Sequence, residues 1–238
     1  MARKRHIKKY DKEKKLLEEA NVPDIRQTID RVGGVVEKNT VQVTIRTFPI
    51  MLGIPMDETM FSRFFIFYMR NIHPMPWDGF VATESTYLPA ARNIVHDAFL
   101  DAEEYPFLMM IDSDVICPPR TVDILLSHEL PVVAGWYRNK HPTKPDHPVV
   151  YDFLHENAKG KSVFTHRKEA GKGLEQVDGV GAGCILMSYE VASALGRSPY
   201  DMEKGGEDLR LCRKIMQLGY KMHVDWDINC AHLGVRHV

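Results

Sequence analysis

The chain reads as an α/β protein whose mostly parallel sheet is flanked by helices. Three observations predict this. Short apolar runs of strand length recur along the chain, segments with helical spacing separate them, and the densest apolar run, residues 107–111, ends in the acids Asp112 and Asp114. Alternation of strands and helices is the sequence pattern of a sheet covered on both faces. Ligands of such sheets gather at the carboxyl ends of the strands.

The elements follow in order. Residues 1–38 are polar and charged with helical composition, broken near Pro23 and at Gly33-Gly34. Residues 41–45 alternate as a strand does, and Thr47-Phe48-Pro49 ends it. The aromatic-rich stretch 61–68 suits a helix packed on the sheet, and residues 79–83 a second strand. A helix is expected over 89–102, the acid-tipped strand over 107–111, a helix over 119–127 and a short buried strand over 131–135. Residues 141–173, rich in His, Lys and Pro and weak in periodicity, read as an excursion that shapes an acceptor site. Strand character returns over 177–187 despite the glycines at 179, 181 and 183. A helix over 207–218 is closed by Gly219, and a last strand covers 221–226. These divide the chain into a basic helical arm (1–38) and one domain (39–238), with a nucleotide-binding half to about 140 and an acceptor half from about 141.

Composition excludes several classes. Hydrophobic residues at 44% and charged residues at 26% of 238 are those of an ordinary globular protein. A formal charge of -1 gives no global pull toward nucleic acid or membrane. No apolar run reaches the roughly 20 residues that span a bilayer, and the N-terminus lacks a signal-type apolar core. The cytoplasm is the expected location, the host's cytoplasm for a viral chain. Cys117, Cys184, Cys212 and Cys230 lie far apart and form no CxxC pair, so they read as small core residues of a reducing compartment rather than a zinc site. Charge is concentrated in Arg3, Lys4, Arg5, Lys8, Lys9, Lys12, Lys14 and Lys15. That arm is either a solvated segment or a handle for an anionic partner.

Four constellations can carry chemistry. Asp112-Ser113-Asp114 emerges from a buried strand into a proline-closed loop. Two carboxylates there are costly without a cation, and hard oxygen ligands suit Mg2+ or Mn2+ carrying phosphates. Asp225-Trp226-Asp227 has the same spacing without the apolar lead-in and reads as a strand-end turn. Arg92, at the start of the 89–102 helix, either forks onto a diphosphate or pairs with Asp112 or Asp97. Glu207 and Asp208 follow Gly205-Gly206 on a first helical turn. They serve either as a dipole cap or as a general base, and the dipole weakens a base unless burial raises its pKa. Leu209, Cys212 and Met216 are expected to face the core from that helix. His232, after the last strand, is either structural or a ligand to a metal held by Asp114.

In order and spacing, Ala90-Ala91-Arg92-Asn93, Ile111-Asp112-Ser113-Asp114-Val115, Gly179-Val180-Gly181-Ala182-Gly183, Gly206-Glu207-Asp208 and His232 resemble the GT-A nucleotide-sugar glycosyltransferases, family-2-like soluble members in particular. The resemblance covers about residues 41–235. It implies a Rossmann-like nucleotide half and a metal-dependent transfer of a sugar from a UDP- or GDP-linked donor to an acceptor hydroxyl. By resemblance, Thr47, Arg92, Asp112, Ser113, Asp178, Gly181, Ala182 and Gly183 would bind the donor. Asp114, Asp112 and His232 would hold the metal. Asp208, or failing it Glu207, would be the base of an inverting reaction, although acids at this position also occur in retaining members. The acceptor stays open among a polysaccharide, a protein and modified DNA. A nucleotidyltransferase or phosphohydrolase would need a Walker-type loop or further clustered carboxylates, and the sequence has neither. A non-catalytic protein of this fold, binding nucleic acid or a partner through the arm, is the other alternative.

Overall fold

Leu108, Met109, Met110 and Ile111 are each at most 2% exposed, so the acid-tipped strand is apolar on both faces and belongs at the centre of a sheet. In this computed structural model it does lie there. The structure describes residues 48–233, apart from 57–61, 73–74, 77, 85–86, 140–145, 159–161 and 202–205. The expected arm, the strand over 41–45 and Thr47 lie outside the described residues.

The strands are β1 (Met51–Ile54), β2 (Gly79–Ala82), β3 (Phe107–Ile111), β4 (Val115–Ile116), β5 (Val132–Trp136), β6 (Val150–Glu156), β7 (Ser162–His166), β8 (Leu174–Val177), β9 (Gly179–Val180), β10 (Cys184–Ser188), β11 (Met222–Asn229) and β12 (Ala231–His232). The helices are α1 (Ser62–Phe67), which runs on into a π-helical turn at Tyr68–Ile72, α2 (Leu88–Asp101), α3 (Thr121–Ser127), α4 (Tyr189–Leu195) and α5 (Glu207–Gln217). Seven strands form the main sheet in the order β2-β1-β3-β10-β5-β11-β8. β2, β1, β3, β5 and β11 run one way, while β10 and β8 run against them. The sheet is therefore mostly parallel in strand direction, as expected.

Alternate residues of each central strand feed two cores. Leu108 and Met110 meet Val95 and Phe99 of α2, Val191 of α4 and Ile215 of α5. Met109 and Ile111 meet Phe64 of α1 and Leu125 of α3 on the other face. Each such buried side chain contributes about 1.5–3 kcal/mol. β1 was not expected as a strand: it is only four residues long and carries Gly53. That glycine is required by packing, since a Cβ there would lie 2.2 Å from Val95 Cγ1.

Four expectations are corrected. The 141–173 excursion contains an antiparallel hairpin, β6 with β7, whose burial fades along each strand instead of alternating, which leaves little periodicity to read. The strand expected over 177–187 is broken into β9, a turn at 181–183 and β10, because side-chain-free residues give a ladder little to pack. Asp225-Trp226-Asp227 lies within β11 rather than in a turn, with Asp225 buried and its Oδ2 2.8 Å from His128 Nε2. On α5 the core face is wider than expected: Cys212 and the half-buried Met216 pack on the core as expected, Leu209 is half-buried, and Leu211 and Ile215 are buried as well.

Candidate functional site

The site is built where the carboxyl end of β3 meets the amino ends of α2 and α5. α2 begins with Pro89 in its first turn, where a missing N–H costs nothing, and it buries Arg92 one turn later. α5 starts from Gly206 at φ +91°, a conformation that suits glycine and aims Glu207 and Asp208 back toward the sheet. The result is a guanidinium, 1% exposed, encircled by acids. Arg92 Nη2 donates to Asp112 Oδ2 at 2.8 Å, and Nη1 donates to Glu207 Oε1 at 2.8 Å and to Asp208 Oδ1. Of the alternatives left open by sequence, the pairing with Asp112 is the one formed. Asp97 instead accepts from the Ser198 amide at 2.9 Å.

Electrostatics follow from this geometry. Burial opposes the Arg92 charge, but Asp112 and Asp208 more than offset it and hold the guanidinium protonated well above its ordinary range. Burial pushes the Asp208 carboxyl up, and Glu207 adds to this against the opposing pull of Arg92 and of the Ala182 amide. Asp112 is raised for the same first reason, with Asp208 and Asp114 adding. One guanidinium thus faces three carboxylates, Asp112, Glu207 and Asp208, and Asp114 adds its charge beside Asp112. Asp112 Oδ1 is buried and has no hydrogen-bond partner among the described residues. A buried acceptor left in that state costs about 1–3 kcal/mol, so the site is short of a cation or donor.

Asp114 and His232 are joined by backbone pairing. Asp114 follows the β3 turn, the Leu233 amide donates to its carbonyl at 2.7 Å, and β12 pairs His232 with Val115 of β4. His232 Nε2 lies 3.6 Å from Asp114 Oδ1. His232 Nδ1 lies 3.0 Å from the Arg138 carbonyl, which can only accept, so Nδ1 carries a proton and Nε2 is the ring nitrogen turned toward Asp114. An imidazole nitrogen beside a carboxylate suits Mn2+ and tolerates Mg2+, and the unsatisfied Asp112 Oδ1 next door is consistent with such an ion. Asp114 and His232 therefore supply two of the donor types the expected metal takes. Asp112 itself points its Oδ2 at Arg92, and Asp112, Asp114 and His232 do not converge as a ready three-ligand set among the described residues.

The other expected residues are distributed as follows. Ser113 is half-buried in the turn after β3. The Gly181 amide donates to the Val149 carbonyl, and a Cβ at Gly181 would lie 2.2 Å from Tyr137 Oη. A Cβ at Gly183 would lie 2.8 Å from Asp112 Oδ2. These glycines therefore make room for the protein's own Tyr137 and Asp112. Asp178 Oδ2 accepts the Phe153 amide at 2.9 Å and anchors the hairpin. Three tyrosines were missed. Tyr137 is buried, accepts the Gly183 amide at 3.1 Å and stacks edge-on with His232 at 4.8 Å between centroids. The Tyr200 ring lies 5.8 Å from the Arg92 guanidinium carbon, and Asn93 clamps its backbone with two 2.8 Å hydrogen bonds. Burial beside Asp208 raises Tyr151. Tyr137 follows the carboxyl end of β5, so the strand-end rule applied to every strand would have found it.

The sheet order, the two reversed strands and the acid-tipped β3 define a GT-A-like α/β fold. No family model matches the chain, and no curated protein matches it. Among solved structures it is similar to A197 from STIV, with 19% identity and a TM-score of 0.58 over 79% of this chain and 86% of that one. It is also similar to GalNAc-T7, whose crystal structure contains UDP, GalNAc and Mn2+, with 10% identity and a TM-score of 0.55 over 80% of this chain and 44% of that one. The chain thus spans under half of the latter protein. Among the described residues no helix is long and apolar enough to cross a membrane.

Proposed function

We propose that the chain is a metal-dependent glycosyltransferase that moves a sugar from a nucleoside-diphosphate donor to an acceptor hydroxyl. The observation that carries this reading is the approach of His232 Nε2 to Asp114 at the sheet's carboxyl end, beside a carboxylate cluster with a surplus of negative charge. GalNAc-T7, a structural neighbour crystallised with UDP, GalNAc and Mn2+, supports it.

Asp114 and His232 would hold Mn2+ or Mg2+, which when bound supplies Lewis acidity to the departing diphosphate. Arg92 positions Asp112 and Asp208 by donating to both. Asp112, with one oxygen committed to Arg92, keeps Oδ1 for a donor hydroxyl or a ligand of the metal. Ser113, Gly181, Ala182 and Gly183 lie near the same strand ends and contact the donor, with Asp178 farther out. Asp208 takes the acceptor proton in an inverting displacement. Burial raises its pKa against the pull of Arg92 and of the Ala182 amide, the direction a general base needs. Glu207 keeps that pKa up by repulsion. The hairpin β6–β7, with Tyr151 near these acids, forms the acceptor side.

The basic arm adds an electrostatic handle for a large or anionic acceptor. Acceptor affinity then falls with salt in the full chain and barely changes with salt once residues 1–20 are deleted. The activity is tested by donor hydrolysis without acceptor. UDP- and GDP-sugars are incubated with and without Mn2+, and release of the nucleoside diphosphate is measured. Release that requires Mn2+ and is lost in Asp114→Ala and His232→Ala is the expected result. Release from no donor, or equal release by both variants, contradicts the proposal.

A further inference from the structure

The cysteines are distant in sequence, but the fold gathers three of them. Cys117 lies just beyond β4, Cys184 opens β10, and Cys230 links β11 to β12. Their sulfur atoms all lie within 4.8 Å of one another, and Cys117 Sγ is 3.6 Å from Cys184 Sγ. Exposure is 1%, 0% and 3% respectively. All four cysteines are free and buried in the core, as expected; Cys212 sits apart from the other three, against Val180.

We propose that Cys117, Cys184 and Cys230 form a three-coordinate thiolate site for a thiophilic d10 cation of the Zn2+ and Cd2+ type, independent of the donor site. The dimensions fit. With metal–sulfur bonds of about 2.3 Å, a trigonal ion sets its sulfurs about 4.0 Å apart, inside the spread observed here. Ligand type fits as well, because thiolates select soft ions and reject Mg2+. Charge favours a divalent ion over a monovalent one: three thiolates and M2+ leave a single net negative charge in a buried place. Binding is a ligand exchange with no redox step, in which three S–H groups lose protons to solvent and three M–S bonds form.

The position gives the site a purpose. Cys117 is three residues from Asp114, Cys184 directly follows Gly183, and Cys230 is two residues from His232. One ion would tie together the three segments that carry the candidate donor site and stiffen its floor from below. Gly135 is part of the same packing, since a Cβ there would lie 2.9 Å from Cys184 Sγ.

The test uses the reduced full chain, stripped of metal with a chelator and titrated with Cd2+ under anaerobic conditions. The expected result is one equivalent bound with thiolate-to-cadmium charge-transfer absorption. In mild denaturant that equivalent protects Cys117, Cys184 and Cys230, but not Cys212, from alkylation in a peptide map. Cys212→Ser and Asp114→Ala keep the absorption, whereas Cys117→Ser, Cys184→Ser and Cys230→Ser each lose it or bind at least tenfold more weakly. Absence of the absorption in the reduced wild type overturns the proposal. So does its persistence in Cys184→Ser, its loss in Asp114→Ala, or a protection map that spares these three thiols nothing. A Cys117–Cys184 disulfide formed in air, with no cadmium uptake after reduction, would assign the cluster to redox chemistry instead. If the serine variants fail to fold, the wild-type protection map decides alone.

Discussion

Arg92 and Asp112, twenty residues apart, meet at 2.8 Å between the buried first turns of α2 and the tip of β3. That contact joins the two motifs most informative in the sequence, and it changes the role of the arginine. Arg92 spends its fork on carboxylates and organises the acids rather than standing free for a diphosphate.

Replacing Arg92 should therefore damage fold and function together. Arg92→Met leaves three carboxylates without their cation, and chemical denaturation should report a loss of about 3–5 kcal/mol. Arg92→Lys should not restore it, because a single ammonium cannot bridge Asp112 and Asp208 as a planar fork does. Full stability in Arg92→Lys would refute the bridging role.

The raised pKa of Asp208 sets a pH dependence. A base must be deprotonated, so turnover should fall on acidification at a pH above the ordinary carboxylate value of 3.8. Glu207 contributes to the rise, so Glu207→Gln should move the acid limb of kcat/KM to lower pH. Burial outweighs the Arg92 pairing, so the folded state holds the proton more tightly and this group's contribution declines as pH rises from 3.8 through the folded pKa. A limb unmoved by Glu207→Gln would contradict the coupling.

His96, one turn after Arg92 on α2 and edge-on to Tyr200, gives a second pH test. It is 0% exposed, with Nε2 3.0 Å from the Gly196 carbonyl and Nδ1 without a partner among the described residues. Burial lowers its pKa below the ordinary 6.5. Its contribution is complete above pH 6.5 and declines as pH falls from there toward the folded value. Melting temperatures of wild type should drop over that window, and His96→Met should flatten the drop.

Gly181→Ala would set a methyl 2.2 Å from Tyr137 Oη. Overpacking of this kind costs about 1–3 kcal/mol. Tyr137→Phe removes the nearest atom, so the double variant should be less unstable than the sum of the singles. Strict additivity would mean that the two side chains do not meet.

Much of this was legible in the sequence for a physical reason. The 107–111 run is apolar at every position, which only a strand buried on both faces tolerates, and its acids could then be assigned to a strand end. The amphipathic α5 and its acidic first turn were equally plain. Less legible was β1, where four residues containing a glycine carry little periodicity. The β6–β7 hairpin was hidden because burial fades along its strands instead of alternating between two faces. Contacts between distant segments left no trace in local pattern: the capture of Asp208 by Arg92, the meeting of three cysteines, and Tyr137 filling the space above Gly181 arise only when the sheet brings strand ends together.

The most direct test is a calorimetric titration of UDP and of GDP, with and without Mn2+, on wild type and Asp114→Ala. Binding of one nucleotide that needs Mn2+ and disappears in the variant is the predicted result. No binding of either nucleotide with metal present, or binding indifferent to both metal and Asp114, would contradict the account.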